Sequence, residues 1–379
     1  MLVATLTAQT VVESANPIGP DLTLSDEPLV RIGVLDGPME HMFGEIAGAI
    51  RLEDGSVVVV DGQSNEARMF DAGGRHVWTS SLEVGSRRQR NSRALRLLRG
   101  CPEAPISVLD VSSASVTELD PNGNVTETRK TVGFNPYSEV MCSPDGELVV
   151  ASWPETEFEW ESLTAGDIFR SSRSLKLLRS DTAIALVSGI PGTEHVYNGM
   201  GAVPRRWGKD MVFAATGTGL WYGSGDDYEL EHVDWSGRVT RIARWSGPDL
   251  DVTAEHLDRY MDSYLALFDT PRGRQAFERE LWPGMRDGLP ERFPAFETEA
   301  AGLMALPDGS LWVTIFGWRA PDQELHLLQA SGAWAGRLVI PAGPALLDAG
   351  PGWVLLLERG EFDEQRVAVY ELVEAGGSG

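Results

Sequence analysis

The strongest constraint on the fold is a unit that recurs along the chain. An apolar run leads into a turn, often Asp-Gly. A second apolar run follows, then a polar loop, a third run ending in a polar Gly turn, and a short fourth run. The clearest copy is AIRLEDG, SVVVVD, EARMFDAGG, HVWTSSLEV, from Ala49 to Val84. Further copies run from Leu95 to Val132, Val140 to Ile190, Val203 to Trp245, Leu303 to Pro341 and Ala345 to Gly376. The last copy lacks its fourth run. Pro28 to Gly37, PLVRIGVLDG, is an orphan run that resembles fourth runs such as RVTRIARWSG.

A four-stranded sheet cannot bury both faces alone, but sheets stacked radially bury them against one another and leave only short edges. The expected fold is therefore all-β: a six-bladed β-propeller closed by an N-terminal strand in the last blade. The strand around Val30 to Val34 is expected to pair with the strand ending near Leu372, which satisfies the backbone groups of both ends. The Asp-Gly pairs at 54–55, 145–146 and 308–309 suit the tight link between first and second strands, where Gly tolerates positive φ. With 379 residues, 41 Gly and 22 Pro, one long all-β domain at 28–376 is a better fit than two domains.

The motif RLEDGSVVVVDGQSNEARMFDAGG, echoed in VMCSPDGELVVAS and LMALPDGSLWVTIF, resembles six-bladed propellers of the NHL-repeat and TolB-like kind over residues 29 to 376. The resemblance implies the fold. It does not imply an activity, because this architecture hosts binding proteins, lactonases and lyases alike.

Spacing between repeats breaks once. The segment Pro248 to Phe296 reads as a helical hairpin between blades four and five. Leu257, Tyr260, Met261, Tyr264, Leu265 and Phe268 fall at helical steps. Thr253 suits an N-cap and Pro271 the start of a second helix, with Phe277, Leu281, Trp282 and Met285 as its stripe. The hairpin is a candidate lid or docking surface, or simply a cover.

Net charge is -24, which disfavours nucleic acid and anionic membrane surfaces as partners. No apolar run reaches the length of a membrane span. Residues 1–27 read as an N-terminal extension whose mildly apolar start resembles a signal-peptide remnant without a basic n-region. Periplasmic or secreted location is the first reading and cytoplasmic the second. Cys101 and Cys142 read first as small buried residues, with a disulfide as the second reading.

Candidate ligand-binding residues gather in the loops between second and third strands and in those leading into first strands. They are Trp153, Trp160, Trp221, Tyr222, Trp318 and Arg319, with His41, His195 and Arg87. Aromatic rings around a channel mouth suit a protein, peptide or glycan; packing against the helical hairpin is the competing role. The alternative is a metal-dependent lactonase-type hydrolase or lyase. Six-bladed lactonases hold a divalent cation with Glu, Asn and Asp, and Glu45, Asn135, Asn198 and Glu299 occupy comparable loops. Such oxygen ligands suit calcium. No nucleophile elbow, P-loop, dinucleotide fingerprint or zinc-type His spacing occurs. The leading expectation is a monomeric, non-catalytic binding propeller without a cofactor.

Overall fold

The computed structural model describes residues 9–15, 19–82, 95–98, 106–131, 140–152, 162–179, 182–298, 302–318, 320 and 322–375. Three short strands come first: β1 (Thr10–Ser14), β2 (Asp21–Leu24) and β3 (Val30–Ile32). Antiparallel meanders follow. The first is β4 (Ile46–Arg51), β5 (Val57–Asp61), β6 (Glu66–Phe70) and β7 (His76–Ser81). The second is β8 (Leu95–Leu98), β9 (Ile106–Asp110), β10 (Ser115–Leu119) and β11 (Val125–Lys130). Next come β12 (Val140–Cys142), β13 (Leu148–Ala151), β14 (Ile168–Arg179), β15 (Thr182–Tyr197) and β16 (Ala202–Pro204). Then β17 (Val212–Thr216), β18 (Gly219–Gly223), β19 (Glu229–Asp234) and β20 (Val239–Trp245) form a sheet. The last groups are β21 (Leu303–Ala305), β22 (Leu311–Thr314), β23 (Asp322–Leu328) and β24 (Trp334–Pro341), then β25 (Ala345–Gly350), β26 (Trp353–Arg359) and β27 (Gln365–Glu374).

The cores lie between sheets, and period-2 alternation builds them. Val58 and Val60 pack with Leu95, Ile106 and Val108 of the following sheet, while Val57 and Val59 face Leu355, Val367 and Val369. All four valines are buried because both faces of the sheet are covered. The pattern passes around the molecule. Leu98, Leu109 and Val116 meet Val140, Leu148 and Val150. Val149, Leu175 and Leu177 meet Phe213, Leu220 and Tyr222. Ala214, Trp221 and Leu230 meet Leu303, Leu311 and Val313. Trp312, Leu325 and Leu338 meet Val354, Leu356 and Ala368. The core shared by the last and first sheets contains Ile32 of β3. This is a closed ring of radial sheets, a β-propeller.

Strand β3 seals the ring by pairing antiparallel with β27, Val30 opposite Val369 and Ile32 opposite Val367. The two strands before it also pair with the sheets. Strand β1 lies parallel on β20, Thr10 opposite Arg241. Strand β2 lies between β24 and β27, parallel to one and antiparallel to the other. Arg337 holds Asp21 through Nε and Nη2 at 3.0 and 3.1 Å. The outer edges of these strands have unpaired amides and carbonyls, and the N-terminal segment covers them. Residues 1–8 lie outside the described part.

The turns between third and fourth strands repeat one device. Asp71, Asp120 and Asp234 each accept the backbone N–H groups two and four residues on. Hydrogen bonds hold the carboxyls of all three below the usual range, led by the Arg75 backbone N–H at Asp71, the Asn124 side-chain amide at Asp120 and the Ser236 Oγ–H at Asp234, which stands at about 2. Gly74, Gly123, Gly237 and Gly332 follow at φ between +78° and +89°.

One repeat departs from the expected register. Val203 was expected to open the fourth blade, but Ala202–Pro204 is β16, the edge of the preceding sheet. The segment expected to be a loop, GLWYG, is strand β18. A Cβ at Gly219 would stand 1.9 Å from the Val233 carbonyl oxygen, so this glycine lets two strands approach where any side chain would collide.

Between β20 and β21 the chain is helical. Helix α1 (Ala254–Leu265) is capped by Thr253, and α2 (Pro271–Ala276) by Thr270. A π-helical turn, Phe277–Leu281, leads into α3 (Trp282–Asp287). The cluster of Trp207, Tyr260, Leu289 and Phe293 fixes this cover to the ring. Arg205 donates to the carbonyls of Gly288 and Leu289, both at 2.8 Å, satisfying groups that a helix end leaves open.

Candidate ligand-binding channel

Strands β4, β8, β12, β17, β21 and β25 surround a cavity of about 960 Å³. Its rim carries Leu52, Glu53, Asp54, Pro144, Gly217 and Pro307, residues of turns between first and second strands. The cavity therefore opens at the end opposite the loops in which the candidate residues were sought.

The wall is two-sided. On one side Met141, Ala215, Leu303, Ala305 and Leu306 are apolar. On the other, Arg51 on β4, Arg96 on β8 and Asp348 on β25 carry charge. Strand irregularities at the seam between last and first sheets position part of this charge: β25 shifts register between Leu346 and Asp348, and β4 between Ile46 and Gly48. Asp348 Oδ2 accepts the Arg51 backbone N–H at 2.8 Å across the seam. The Arg51 guanidinium lies 4.9 Å from the centre of the Trp353 ring, a cation–π contact. Asp54 accepts the Ser56 N–H, and that bond, the largest influence, lowers its pKa.

The candidate residues do not form one mouth. Trp221 and Tyr222 are buried at 1% and 8% exposure. They are successive residues of β18 and so point into two different cores. The Tyr222 hydroxyl donates to Glu231 at 2.7 Å, and burial pushes its pKa up. They are packing residues, a correction that follows from β18 being a strand. Trp318 packs tilted against Trp207, ring centres 4.7 Å apart, within the aromatic cluster under the helices. His41 ends a single helical turn and meets Phe70 edge-on at 5.0 Å. His195 stacks on Phe169 at 5.5 Å, with Nδ1 2.9 Å from the Thr193 carbonyl. Trp153, Trp160, Arg319 and Arg87 lie outside the described residues.

Of the proposed cation ligands, Asn198 uses Oδ1 to accept the N–H groups of Met200 and Gly201, closing the β15–β16 turn. Glu45 sits at the entry to β4, its N–H donated to Asp61. Asn135 and Glu299 lie outside the described residues. Among the described residues no group of three or more His, Cys, Asp or Glu is placed to hold a metal ion.

Cys142, on the cavity wall and 3% exposed, is disulfide-bonded. This corrects the reading of it as a free buried thiol. The sole other cysteine, Cys101, lies outside the described residues. Apolar surroundings suit a disulfide as well as a thiol, so burial could not discriminate. Sequence reasoning also missed Arg51 and Arg96. The available signal was a charge inside an apolar innermost strand, AIRLEDG and LRLL.

No protein-family model matches the chain, and no curated protein does. Among solved structures, a member of the DUF4221 family from Bacteroides vulgatus aligns over 94% of this chain and 100% of its own, at 10% identity and a TM-score of 0.50. At that identity the likeness shows the fold alone. A virginiamycin B lyase from Staphylococcus aureus aligns over 93% of this chain and 100% of its own, at 10% identity and a TM-score of 0.41. The PQQ-bound aldose sugar dehydrogenase from Streptomyces coelicolor aligns over 94% and 100%, at 10% identity and 0.42. These last two likenesses carry no argument about chemistry. Among the described residues, no helix is long and apolar enough to cross a membrane.

Proposed function

We propose that this chain is a six-bladed propeller, with the helical segment inserted between blades four and five, that binds a small organic ligand in its channel without transforming it. The observation that carries the reading is the cavity of about 960 Å³, to which the innermost strand of every blade contributes. A volume in the range of ligand pockets, mostly apolar walls and a few polar groups are the usual features of a small-molecule site. The ligand sits at the turn end of the channel rather than on the aromatic loop face. The disulfide at Cys142 supports a periplasmic or secreted location, since such bonds persist in oxidising compartments.

The test is a crystallographic fragment screen on the whole chain. Fragments are expected to cluster against Met141, Ala305 and Trp353. Fragments found repeatedly among the loops at the other end, with the channel empty at millimolar concentration, would overturn the reading.

A further inference from the structure

Most of the described arginines of this acidic chain are held by carboxylates. Arg31, Arg68, Arg205, Arg292 and Arg337 are examples, each with an Asp or Glu oxygen within 3.0 Å. The two described arginines that line the channel differ. Arg51 and Arg96 are half-buried on neighbouring innermost strands and line the cavity. Neither guanidinium has a hydrogen-bond or ion-pair partner among the described residues, and Arg51 has only the Trp353 ring beside it. The nearby acids are differently placed. Asp348 is engaged by the Arg51 backbone and Asp54 by its own turn, while Glu53 stands exposed at the rim.

A guanidinium presents its donors in a planar fork that matches carboxylate, sulfonate or phosphate oxygens. Two such groups with no carboxylate in contact, although Glu53, Asp54 and Asp348 line the same cavity, leave donors open to an anion in a chain whose net charge is -24 and whose field elsewhere repels one. The opposite wall of Met141, Ala215, Leu303 and Ala305 offers only apolar contact. We infer that the channel takes an amphipathic organic anion, its acid group at Arg51 and Arg96 and its apolar body against β12, β17 and β21. This inference rests on the proposal that the channel is the binding site.

The test uses three probes of one size on the full chain: 2-naphthoate, 2-naphthamide and 2-naphthylmethylammonium, titrated calorimetrically. 2-Naphthoate is expected to bind about tenfold more tightly than the amide, the gain of one charge-assisted contact. Arg96→Gln should remove that preference, Arg96→Lys should keep part of it, and added salt should shrink it. Ala305→Phe, which fills the apolar side, should weaken all three probes; its thermal melt reports whether it folds. Equal binding of the three probes, all lost in Ala305→Phe, would overturn the anion inference and leave the channel proposal standing. Tightest binding of the ammonium probe would do the same. Absence of binding by any probe, or binding indifferent to Ala305→Phe, would sink both.

Discussion

The indole Nε1–H of Trp245 donates to Nδ1 of His326 at 2.9 Å, joining two neighbouring sheets through their buried interface. An indole can only donate. Nδ1 of His326 is therefore the unprotonated nitrogen, and Nε2–H faces Glu324 at 2.8 Å. That bond, the largest influence, holds the Glu324 carboxyl below its ordinary range. Trp245→Phe keeps a ring but strands Nδ1, and is expected to cost about 2 kcal/mol. Urea unfolding with an unchanged slope would show it; a midpoint equal to that of the unaltered chain would refute the assignment.

His232 gives the pH prediction. Its ring lies between Thr240 and Thr218, and burial, followed by the charge of Arg241, lowers its pKa to about 4. The unfolded chain binds a proton at this residue below about pH 6.5, while the folded chain does not until about 4. Its contribution is thus present above about pH 6.5 and is lost as pH falls towards 4. Denaturation midpoints taken between pH 7 and 4.5 should drop more steeply for the unaltered chain than for His232→Gln. Parallel curves would contradict the neutral buried state.

Ring closure is testable at Ile32, 1% exposed between β27 and the first sheet. Ile32→Ala should cost roughly 2–4 kcal/mol, as for other buried large-to-small changes. Val34→Ala, at a position 36% exposed, should cost well under 1 kcal/mol. Similar losses at both sites would argue against a sealed ring.

Arg205 ties the helical cover to the sheets. Its Nη1 lies 3.0 Å from Glu194, both side chains 11% exposed. Arg205→Ala removes the caps on Gly288 and Leu289 and leaves the Glu194 charge without its partner, a loss of about 3 kcal/mol. Limited proteolysis should then cut first between residues 254 and 287. Cleavage no faster than in the unaltered chain would show that the aromatic cluster alone holds the helices.

Reduction of the disulfide at Cys142 should lower stability by about 2–4 kcal/mol. The comparison of melting curves with and without reductant is direct, and coincident curves would mean the bond constrains nothing in the unfolded chain.

The repeat was legible because a strand buried on both faces must read as consecutive apolar residues, and SVVVVD and ISVLD do so. The role of Val30–Ile32 could be inferred from a missing partner at the other end of the chain. The helices were legible in the spacing of Leu257, Tyr260 and Tyr264 and in the caps Thr253 and Thr270. Trp221 and Tyr222 were misread because aromatics flanked by glycines look alike in a short strand and in a loop; only the pairing of Trp221 with His232 across β18 and β19 distinguishes them.

Local pattern by itself marked most of the strands and the helical segment, since alternation and capping act over a few residues, but it misplaced the start of the fourth blade at Val203. The tertiary structure decided which residues share a space. Arg51, Arg96 and Met141 lie far apart in sequence and line one cavity because the ring brings innermost strands together. The covering of outer edges by β1 and β2 was likewise a tertiary outcome: their unpaired backbone groups had to meet someone else's, and no residue in their own sequence names the partner.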